Sequence, residues 1–344
     1  MSDRQAWTSE LFERRRLDVE RLAAAAAVAE DDVGACCAWM AVQRQARRHL
    51  RALQPYLRTN SPALSDTVAA SRADLEGRLA SADSTAATFG AEVQARARAR
   101  LGLRVAVIGK GGSGKTVIAG TLGRLLAGRG RRVLAGDLDT NPGLAYTLGM
   151  SPTEAGLPWE AVEEQPGSDY GWYLASSLSP LDAVERFAAV GPDGVRYLGI
   201  GKVSSSDKAH ARRSSSAVRA VLGGLGEPGW DVIGDLEGGP TTPFERYHAF
   251  ADLVIVVAGP SWVSGLTARR LLALVELPTL VVTNRMEDGA EHQGIVPVLA
   301  VPHDPEVLEA ERRGVAPVDF CPGAPAMRAI AQLADMLTPE EVSV

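Results

Sequence analysis

The chain has 344 residues, of which 46% are hydrophobic, enough to bury the core of one large domain or two smaller ones. Its formal net charge of −6 gives the chain as a whole no electrostatic attraction for nucleic acid. The three cysteines, Cys36, Cys37 and Cys321, are too few for a disulfide scaffold and lack the CxxC spacing of a structural zinc site.

The start of the chain carries no targeting signal that we can identify. It is charged from the first residues and has no apolar run before a cleavage site. The apolar run at residues 22–29 is much shorter than the ~20 residues that span a bilayer. We therefore expect a cytoplasmic protein without a transmembrane segment.

Residues 1–100 are predicted to form an all-helical N-terminal region. Apolar residues recur at helical spacing from Leu11 to Val33, and further helices are predicted at about 35–57, 65–82 and 84–100. A helical hairpin or small bundle is the expected form. Two interpretations stay open: a helical appendage packed on the main domain, or a module for partner docking or dimerisation.

Residues 101–338 have the alternating strand and helix pattern of an α/β domain, and residues 339–344 form a C-terminal tail. This alternation predicts a doubly wound, mostly parallel sheet covered by helices on both faces, with the N-terminal helices as an extension. Strands are predicted at 103–109, 131–139, 195–201, 230–236, 252–259, 278–284 and 294–302, and helices at 115–130, 214–225, 262–276, 304–313 and 324–337. Ligands of such sheets bind beyond the carboxyl ends of the strands, so informative residues should follow strands.

The stretch "GKGGSGKT" follows the first of these strands and opens a helix, the context that a phosphate-binding loop (P-loop) requires. Its glycines allow backbone N–H groups to surround phosphates, and the helix N-terminus adds partial positive charge. Lys115 is predicted to reach the β- and γ-phosphates, and Thr116 to place its hydroxyl on Mg²⁺. The predicted nucleotide-binding residues of this loop are Gly109, Lys110, Gly111, Gly112, Ser113, Gly114, Lys115, Thr116 and Val117.

Carboxylates follow two other strands. The stretch "DLDTNPG" contains Asp137 and Asp139, and "WDVIGDL" contains Asp235. We expect Thr116, Asp137 and Asp235 to form the Mg²⁺ shell, and Asp139 to orient or deprotonate the attacking water. The competing interpretation of Asp139 is that its side chain caps the following turn.

The last two strands are followed by polar residues suited to a base pocket. Asn284 offers an acceptor and two donors to a purine edge. The Asn-Lys-x-Asp pattern of a guanine site is missing after it, which favours ATP over GTP. Arg285, Pro302, His303 and Asp304 complete the predicted pocket, the last three through backbone groups.

This set of motifs resembles the deviant Walker A P-loop ATPases of the ParA/MinD/Mrp/ArsA (SIMIBI) group, over residues 101–338. "VLAGDLDTNPGLAYTLG" resembles in particular the nickel-insertion, CooC-like members, but the paired cysteines of those proteins are missing after "GIGKV". The resemblance implies a homodimer with ATP sandwiched between subunits, in which Lys110 contacts the partner's nucleotide. It implies catalytic roles for Lys110, Lys115 and Asp139, and slow, partner-stimulated hydrolysis.

The leading hypothesis is thus a Mg²⁺-dependent, ATP-hydrolysing dimeric switch that positions or assembles an unidentified protein partner, which residues 1–100 could dock. The alternative is a ParA-like partition or polarity ATPase that binds DNA non-specifically. The paired arginines that could serve it are more simply explained as surface charge on helices, which disfavours nucleic acid; they are Arg212, Arg213, Arg269, Arg270, Arg312 and Arg313.

Overall fold

The computed structural model describes residues 3–53, 62–151, 157–164, 172–201, 208–239, 247–287 and 294–338. The predicted C-terminal tail, 339–344, lies outside these ranges, as does the stretch at 240–246 that follows the two glycines after Asp235.

Four helices form the N-terminal region: α1 (Asp3–Ala27), α2 (Asp32–Leu53), α3 (Pro62–Ala86) and α4 (Ala91–Arg100). Helices α1, α2 and α3 share an apolar core that includes Phe12, Val19, Val42 and Leu75. Because these side chains recur on the inward face of each helix, burial in this core holds the bundle together. Helix α4 packs separately against α2 around Cys36 and Ala97.

The predicted helices of this region are found, but their boundaries differ from the prediction. Helix α2 begins at residue 32 rather than at about 35, so the apolar stretch from Leu11 to Val33 is divided between α1 and α2. Helix α3 runs from residue 62 to 86, whereas we predicted 65–82, and α4 starts at residue 91 rather than at about 84. The small polar residues near position 84 remain helical because Ala82 and Ala86 are buried. The chain breaks instead at Gly90, whose extended backbone precedes α4.

The remaining described residues contain one large sheet and one small hairpin. The strands are β1 (Arg104–Gly109), β2 (Arg132–Leu138), β3 (Val162–Glu164), β4 (Trp172–Leu174), β5 (Ala189–Val190), β6 (Arg196–Gly199), β7 (Trp230–Leu236), β8 (Leu253–Ala258), β9 (Thr279–Met286) and β10 (Leu299–Pro302). Their order in the large sheet is β10-β9-β8-β1-β7-β2-β6-β5, parallel except for the edge strand β5, and β3 pairs antiparallel with β4.

Helices cover both faces of this sheet, as predicted for a doubly wound fold. They are α5 (Lys115–Gly128), α6 (Leu144–Thr147), α7 (Pro180–Phe187), α8 (Lys208–Gly224), α9 (Trp262–Leu274), α10 (Pro305–Arg313), α11 (Pro317–Phe320) and α12 (Pro325–Leu337). Along β1, Ala106 and Ile108 face the cluster with α8 and α9, whereas Val105 and Val107 face the cluster with α5 and α12. Burial of successive residues on opposite faces explains why the strand is apolar throughout.

Several boundaries in this part of the chain differ from our predictions, and the largest difference is the start of α8 at residue 208 rather than 214. The last strand begins at Leu299, so the predicted strand at 294–302 is wrong over its first five residues, and β9 extends to Met286. The β3–β4 hairpin and the antiparallel strand β5 were not predicted, because strands of two or three residues carry no measurable alternation.

Candidate functional site

The predicted phosphate loop connects the carboxyl end of β1 to the first residue of α5. Two of its residues have backbone angles that favour glycine, with φ of 74° at Gly112 and 91° at Gly114. A side chain at Gly114 would also collide with Asn284, since a Cβ built there lies 1.9 Å from the Asn284 Nδ2. The loop therefore adopts a shape that only glycine permits at these positions.

Lys115 lies inside this loop. Its side chain is buried, and its Nζ donates a hydrogen bond to the carbonyl of Lys110 at 3.4 Å. The backbone N–H of Ser113 donates to the same carbonyl at 3.1 Å. The structure thus places a buried ammonium group at the N-terminus of α5, where an anion is favoured by both the helix and the lysine.

Thr116 and Asp235 meet beneath the loop, as predicted. The Thr116 hydroxyl donates to the Asp235 Oδ2 at 2.6 Å. The other carboxylate oxygen, Oδ1, is buried and has no hydrogen-bond partner among the residues that the structure describes. Burial first, and then the charge of the neighbouring Asp137, raise the pKa of Asp235 to about 7, against the Thr116 hydrogen bond and the charge of Lys115.

This arrangement fits Mg²⁺. A threonine hydroxyl and a carboxylate are oxygen ligands of the kind that Mg²⁺ takes, directly or through its waters. An unpartnered buried carboxylate oxygen is unfavourable by itself, and a cation beside it would remove that penalty. Thr116 and Asp235 are therefore the residues best placed to hold the metal.

Asp137 lies beside Asp235, because β2 and β7 pair in a register that aligns the two residues. Its carboxylate accepts hydrogen bonds from the backbone N–H groups of Asp139, Gly143 and Leu144, at 3.0 to 3.1 Å. Burial raises its pKa to about 6, whereas these backbone hydrogen bonds lower it. Asp137 thus shapes the loop that carries Asp139 and lies beside Asp235.

Asp139 is half-exposed at the rim of the site. Its Oδ1 accepts a hydrogen bond from the backbone N–H of Asn141 at 2.8 Å, which is the turn-capping geometry of the competing interpretation. The second oxygen of this carboxylate, Oδ2, does not take part in that hydrogen bond. Turn capping by Oδ1 and positioning of a water by Oδ2 are therefore compatible.

The residues predicted to bind the base fall into two groups. Asn284 is buried against the phosphate loop, and its Nδ2 donates to the carbonyl of Ser113 at 2.9 Å. Arg285 follows with a left-handed φ of 58°, and its guanidinium contacts the carbonyl of Gly112. Residues other than glycine rarely adopt this backbone conformation, and such conformations are found most often at functional sites.

Pro302, His303 and Asp304 follow the neighbouring strand, β10. The backbone N–H of His303 donates to the carbonyl of Met286 at 2.9 Å, which continues the pairing with β9, and the His303 side chain is exposed. The Asp304 carboxylate caps α10 and accepts hydrogen bonds from the N–H groups of Glu306 and Ala326, at 3.1 and 3.2 Å. The structure therefore brings Asn284 and Arg285 to the loop, and gives Asp304 a structural side-chain role.

The segment after Asp235 packs on the phosphate loop. The N–H of Gly239 donates to the carbonyl of Gly109 at 3.2 Å. A Cβ built on Gly238 would lie 2.6 Å from the backbone nitrogen of Gly111. The segment from Leu236 to Gly239 thus touches the phosphate loop directly.

The sequence analysis missed two residues that support the site. Tyr197 on β6 donates its hydroxyl to Asp137, and burial and Asp137 both raise its pKa above the usual value. Thr147 on α6 donates to the carbonyl of Thr116 at 3.2 Å. A polar residue near the end of an apolar strand was the available signal for Tyr197.

The four paired arginines of the DNA hypothesis whose side chains the structure describes do not form one patch. Arg269 and Arg270 are exposed on α9, which packs on one face of the sheet, and Arg312 and Arg313 are exposed on α10, whose Val307 packs on the other. Arg312 and Arg313 both pair with a glutamate of their own helix. The side chains of Arg212 and Arg213 lie outside the described residues.

No helix in the described part of the chain is long and apolar enough to span a membrane. Among the same residues, Cys36, Cys37 and Cys321 are buried free thiols.

Comparisons with known proteins identify the family of the chain. Residues 104–318 match the family model described as the CobQ/CobB/MinD/ParA nucleotide binding domain. An uncharacterized ATP-binding protein of Methanocaldococcus jannaschii, MJ0823, is 28% identical over 62% of this chain and 90% of its own length. The carbon monoxide dehydrogenase accessory protein CooC of Rhodospirillum rubrum is 26% identical over 64% of this chain and 91% of its own length.

Among solved structures, the septum site-determining protein MinD of Pyrococcus horikoshii, complexed with Mg-ADP, superimposes with a TM-score of 0.51. It is 20% identical, and the match covers 68% of this chain and 95% of MinD. At that identity the likeness shows the fold alone. The predicted P-loop fold and the predicted SIMIBI group are both confirmed, whereas the individual site residues remain predictions.

Proposed function

We propose that this chain, which belongs to the CobQ/CobB/MinD/ParA nucleotide-binding domain family, binds and hydrolyses ATP with Mg²⁺ and acts as a dimeric switch that positions or assembles a partner protein. The observation that carries the proposal is the Thr116–Asp235 hydrogen bond of 2.6 Å next to the phosphate loop, whose conformation requires glycine at two positions. The second carboxylate oxygen of Asp235 has no hydrogen-bond partner among the described residues. That combination suits a triphosphate and its metal, because the loop offers N–H groups to phosphates and Thr116 and Asp235 offer oxygen ligands to Mg²⁺.

Each part of the site has a distinct task in this proposal. The N–H groups of the loop and the ammonium of Lys115 bind the phosphates. Thr116 and Asp235 hold Mg²⁺, with Asp137 behind them, and the metal neutralises charge on the β- and γ-phosphates. Asn284 and Arg285, which contact the phosphate loop, bind the base, and the backbone from Pro302 to Asp304 closes the pocket.

Hydrolysis requires an oriented water and compensation of the charge that develops on the γ-phosphoryl group. Asp139 lies at the rim with one oxygen outside its turn-capping hydrogen bond, and we assign to it the orientation of the water. Lys110 is half-buried at the first turn of the loop, and we assign to it a contact with the nucleotide of a second subunit. The site would then be complete only in the dimer.

The segment from Leu236 to Gly239 is the part of the chain that we expect to change conformation when the γ-phosphate is lost. Gly239 donates to the carbonyl of Gly109, so a shift of the loop at the γ-phosphate would be passed to this segment directly. The helices of residues 1–100 are the proposed docking module for the partner protein. They lie outside the matched family domain, which covers residues 104–318.

The test is ATP turnover by purified protein, with and without Mg²⁺. We expect Lys110→Ala to keep ATP binding and lose hydrolysis, and Asp139→Ala to lower turnover by about 10²- to 10⁴-fold and to accumulate the ATP-bound form. Normal turnover in Lys110→Ala would reject the contact in trans. Phosphate release at the wild-type rate in Asp139→Ala would reject the role of Asp139.

A further inference from the structure

A hydrogen bond joins the two loops that follow β2 and β7. The hydroxyl of Thr140, on the loop after β2, donates to the Oε1 of Glu237, on the segment after β7, at 3.2 Å. The two strands pair as far as Leu138 and Leu236, so the residues that follow them lie side by side. Neither Thr140 nor Glu237 has a task in the proposed function, although each lies within two residues of an aspartate that has one.

The segment after β7 is held against the phosphate loop. The N–H of Gly239 donates to the carbonyl of Gly109, and the backbone of Gly111 closes the space beside the Cα of Gly238. Because these contacts are made by backbone atoms, the position of the phosphate loop determines the position of the segment. Glu237 therefore belongs to a part of the chain whose place depends on the loop that would bind the phosphates.

The loop after β2, residues 139–143, carries the residue to which we assign the orientation of the water. The Asp137 carboxylate accepts hydrogen bonds from backbone N–H groups at both ends of this loop, those of Asp139 and Gly143. These bonds fix the ends of the loop to β2. The Thr140 hydroxyl adds a contact from the exposed side of the loop to the neighbouring segment.

The contacts form a continuous path from the phosphate loop to Asp139. The path runs from the phosphate loop to residues 236–239 through backbone contacts, and from there to Thr140 through the Glu237 carboxylate. The peptide unit between Asp139 and Thr140 is planar and rigid, so a displacement of Thr140 also displaces Asp139. Contiguous packed groups and hydrogen bonds of this kind can transmit a change at one site to another.

We infer that Glu237 is a positioning residue for hydrolysis, because through Thr140 it holds the loop that carries Asp139 in place. The inference rests on the proposed function, in which Asp139 orients the attacking water. While the phosphate loop keeps residues 236–239 in position, Glu237 keeps Asp139 in position. A shift of that segment withdraws Asp139 as well, and a small misplacement of an orienting group is enough to slow a reaction.

The first experiment measures ATP turnover by the full chain with Mg²⁺ at saturating ATP. Thr140→Val removes the hydroxyl but keeps the shape of the side chain. We expect its kcat to fall by about 3- to 10-fold, the effect of one lost hydrogen bond, and its Kd for a slowly hydrolysed ATP analogue to stay unchanged. Thr140→Ser restores the hydroxyl and should recover most of the turnover. Wild-type kcat in Thr140→Val, or an equal loss in Thr140→Ser, would overturn the inference.

Two substitutions at Glu237 separate positioning from a direct chemical role. Glu237→Gln keeps an oxygen that accepts the Thr140 hydroxyl but has no carboxylate to act as a base, whereas Glu237→Leu removes the acceptor at similar size. We expect Glu237→Gln to keep most of the turnover and Glu237→Leu to match Thr140→Val. A loss in Glu237→Gln as large as in Glu237→Leu would show that the carboxylate itself is required, and would overturn the positioning role.

A double variant tests whether the contact acts through Asp139. In Asp139→Ala the group that the contact positions is absent, so adding Thr140→Val should lower turnover no further, and an additive loss would overturn the inference. Thr88→Val is the matched control, since Thr88 is an exposed threonine outside the family domain whose hydroxyl donates to the carbonyl of Thr85 at 2.7 Å. It should keep the wild-type kcat.

The wild-type protein separates this inference from the proposed function. A wild-type protein that does not hydrolyse ATP with Mg²⁺ would reject the proposed function and the inference with it. Hydrolysis by the wild type that Thr140→Val leaves intact would reject the inference alone.

Discussion

Gly238 offers a direct test of how the segment after Asp235 communicates with the phosphate loop. A Cβ added at this position would lie 2.6 Å from the backbone nitrogen of Gly111, 3.0 Å from its Cα and 3.1 Å from the carbonyl oxygen of Gly109. These neighbours are backbone atoms, so no side chain can rotate away. Gly238→Ala must therefore push the segment and the loop apart.

The free-energy cost of Gly238→Ala has two sources. Forcing an additional methyl group into a packed region costs about 1–3 kcal/mol. The displacement also weakens the hydrogen bond from the Gly239 N–H to the Gly109 carbonyl, now 3.2 Å, and such a bond contributes about 0.5–1.5 kcal/mol. If the loop must return to its present shape to bind phosphates, a penalty of about 1–3 kcal/mol weakens ATP binding by about 5- to 150-fold.

Calorimetric titration with a slowly hydrolysed ATP analogue and Mg²⁺ measures this loss. Gly77→Ala is the control, because a Cβ at Gly77 meets nothing within 4 Å and lies in the middle of α3. It should keep wild-type affinity and raise stability by about 0.5–1 kcal/mol. Wild-type affinity in Gly238→Ala, with an unchanged Tm, would refute the proposed contact between the segment and the loop.

Three further predictions concern the surroundings of the site and the helical region. Burial, and then the charge of nearby arginines, lowers the pKa of His49, so the unfolded chain binds the proton more readily than the folded chain. The free energy of unfolding should therefore fall as the pH drops below about 6.5, by up to about 1.4 kcal/mol per pH unit. In denaturation experiments at several pH values, His49→Gln should show a weaker dependence of this free energy on pH. Asp304→Ala leaves the buried N–H of Ala326 without its acceptor and should lower the free energy of unfolding by about 1–2 kcal/mol, measured in urea. Gly120→Ala places a Cβ 2.0 Å from the Thr147 hydroxyl oxygen. The variant should therefore have a lower Tm and bind ATP more weakly. An unchanged Tm would contradict the close packing of α5 on α6.

Much of the fold was predictable because its strands are long, apolar and bounded by glycine or polar residues. The stretch from Arg104 to Thr116 combines a buried strand, a glycine loop and a helix start, and each feature indicates the same structure. Asp235 and Asn284 were found for the same reason, since polar residues at the ends of parallel strands gather at one edge of the sheet.

Other features depend on contacts that one sequence does not encode locally. Tyr197 supports Asp137 only because β6 pairs beside β2, a register that no local pattern specifies. A cavity of about 670 Å³ is lined by Arg47, Arg98 and Asp252, which are far apart in the chain. The periodicity of each helix indicated that it has a buried face but not which residues of other elements would lie opposite.

The measurement that tests the central claim most directly is the mass of the protein in solution, by light scattering, with a slowly hydrolysed ATP analogue and Mg²⁺. The account predicts a species of about twice the 36.3 kDa of one chain for the wild-type protein, and a loss of that species in Lys110→Ala although the analogue still binds. A wild-type protein that stays at the mass of one chain with the analogue bound would contradict the two-subunit site. So would a Lys110→Ala variant that dimerises and hydrolyses ATP like the wild type.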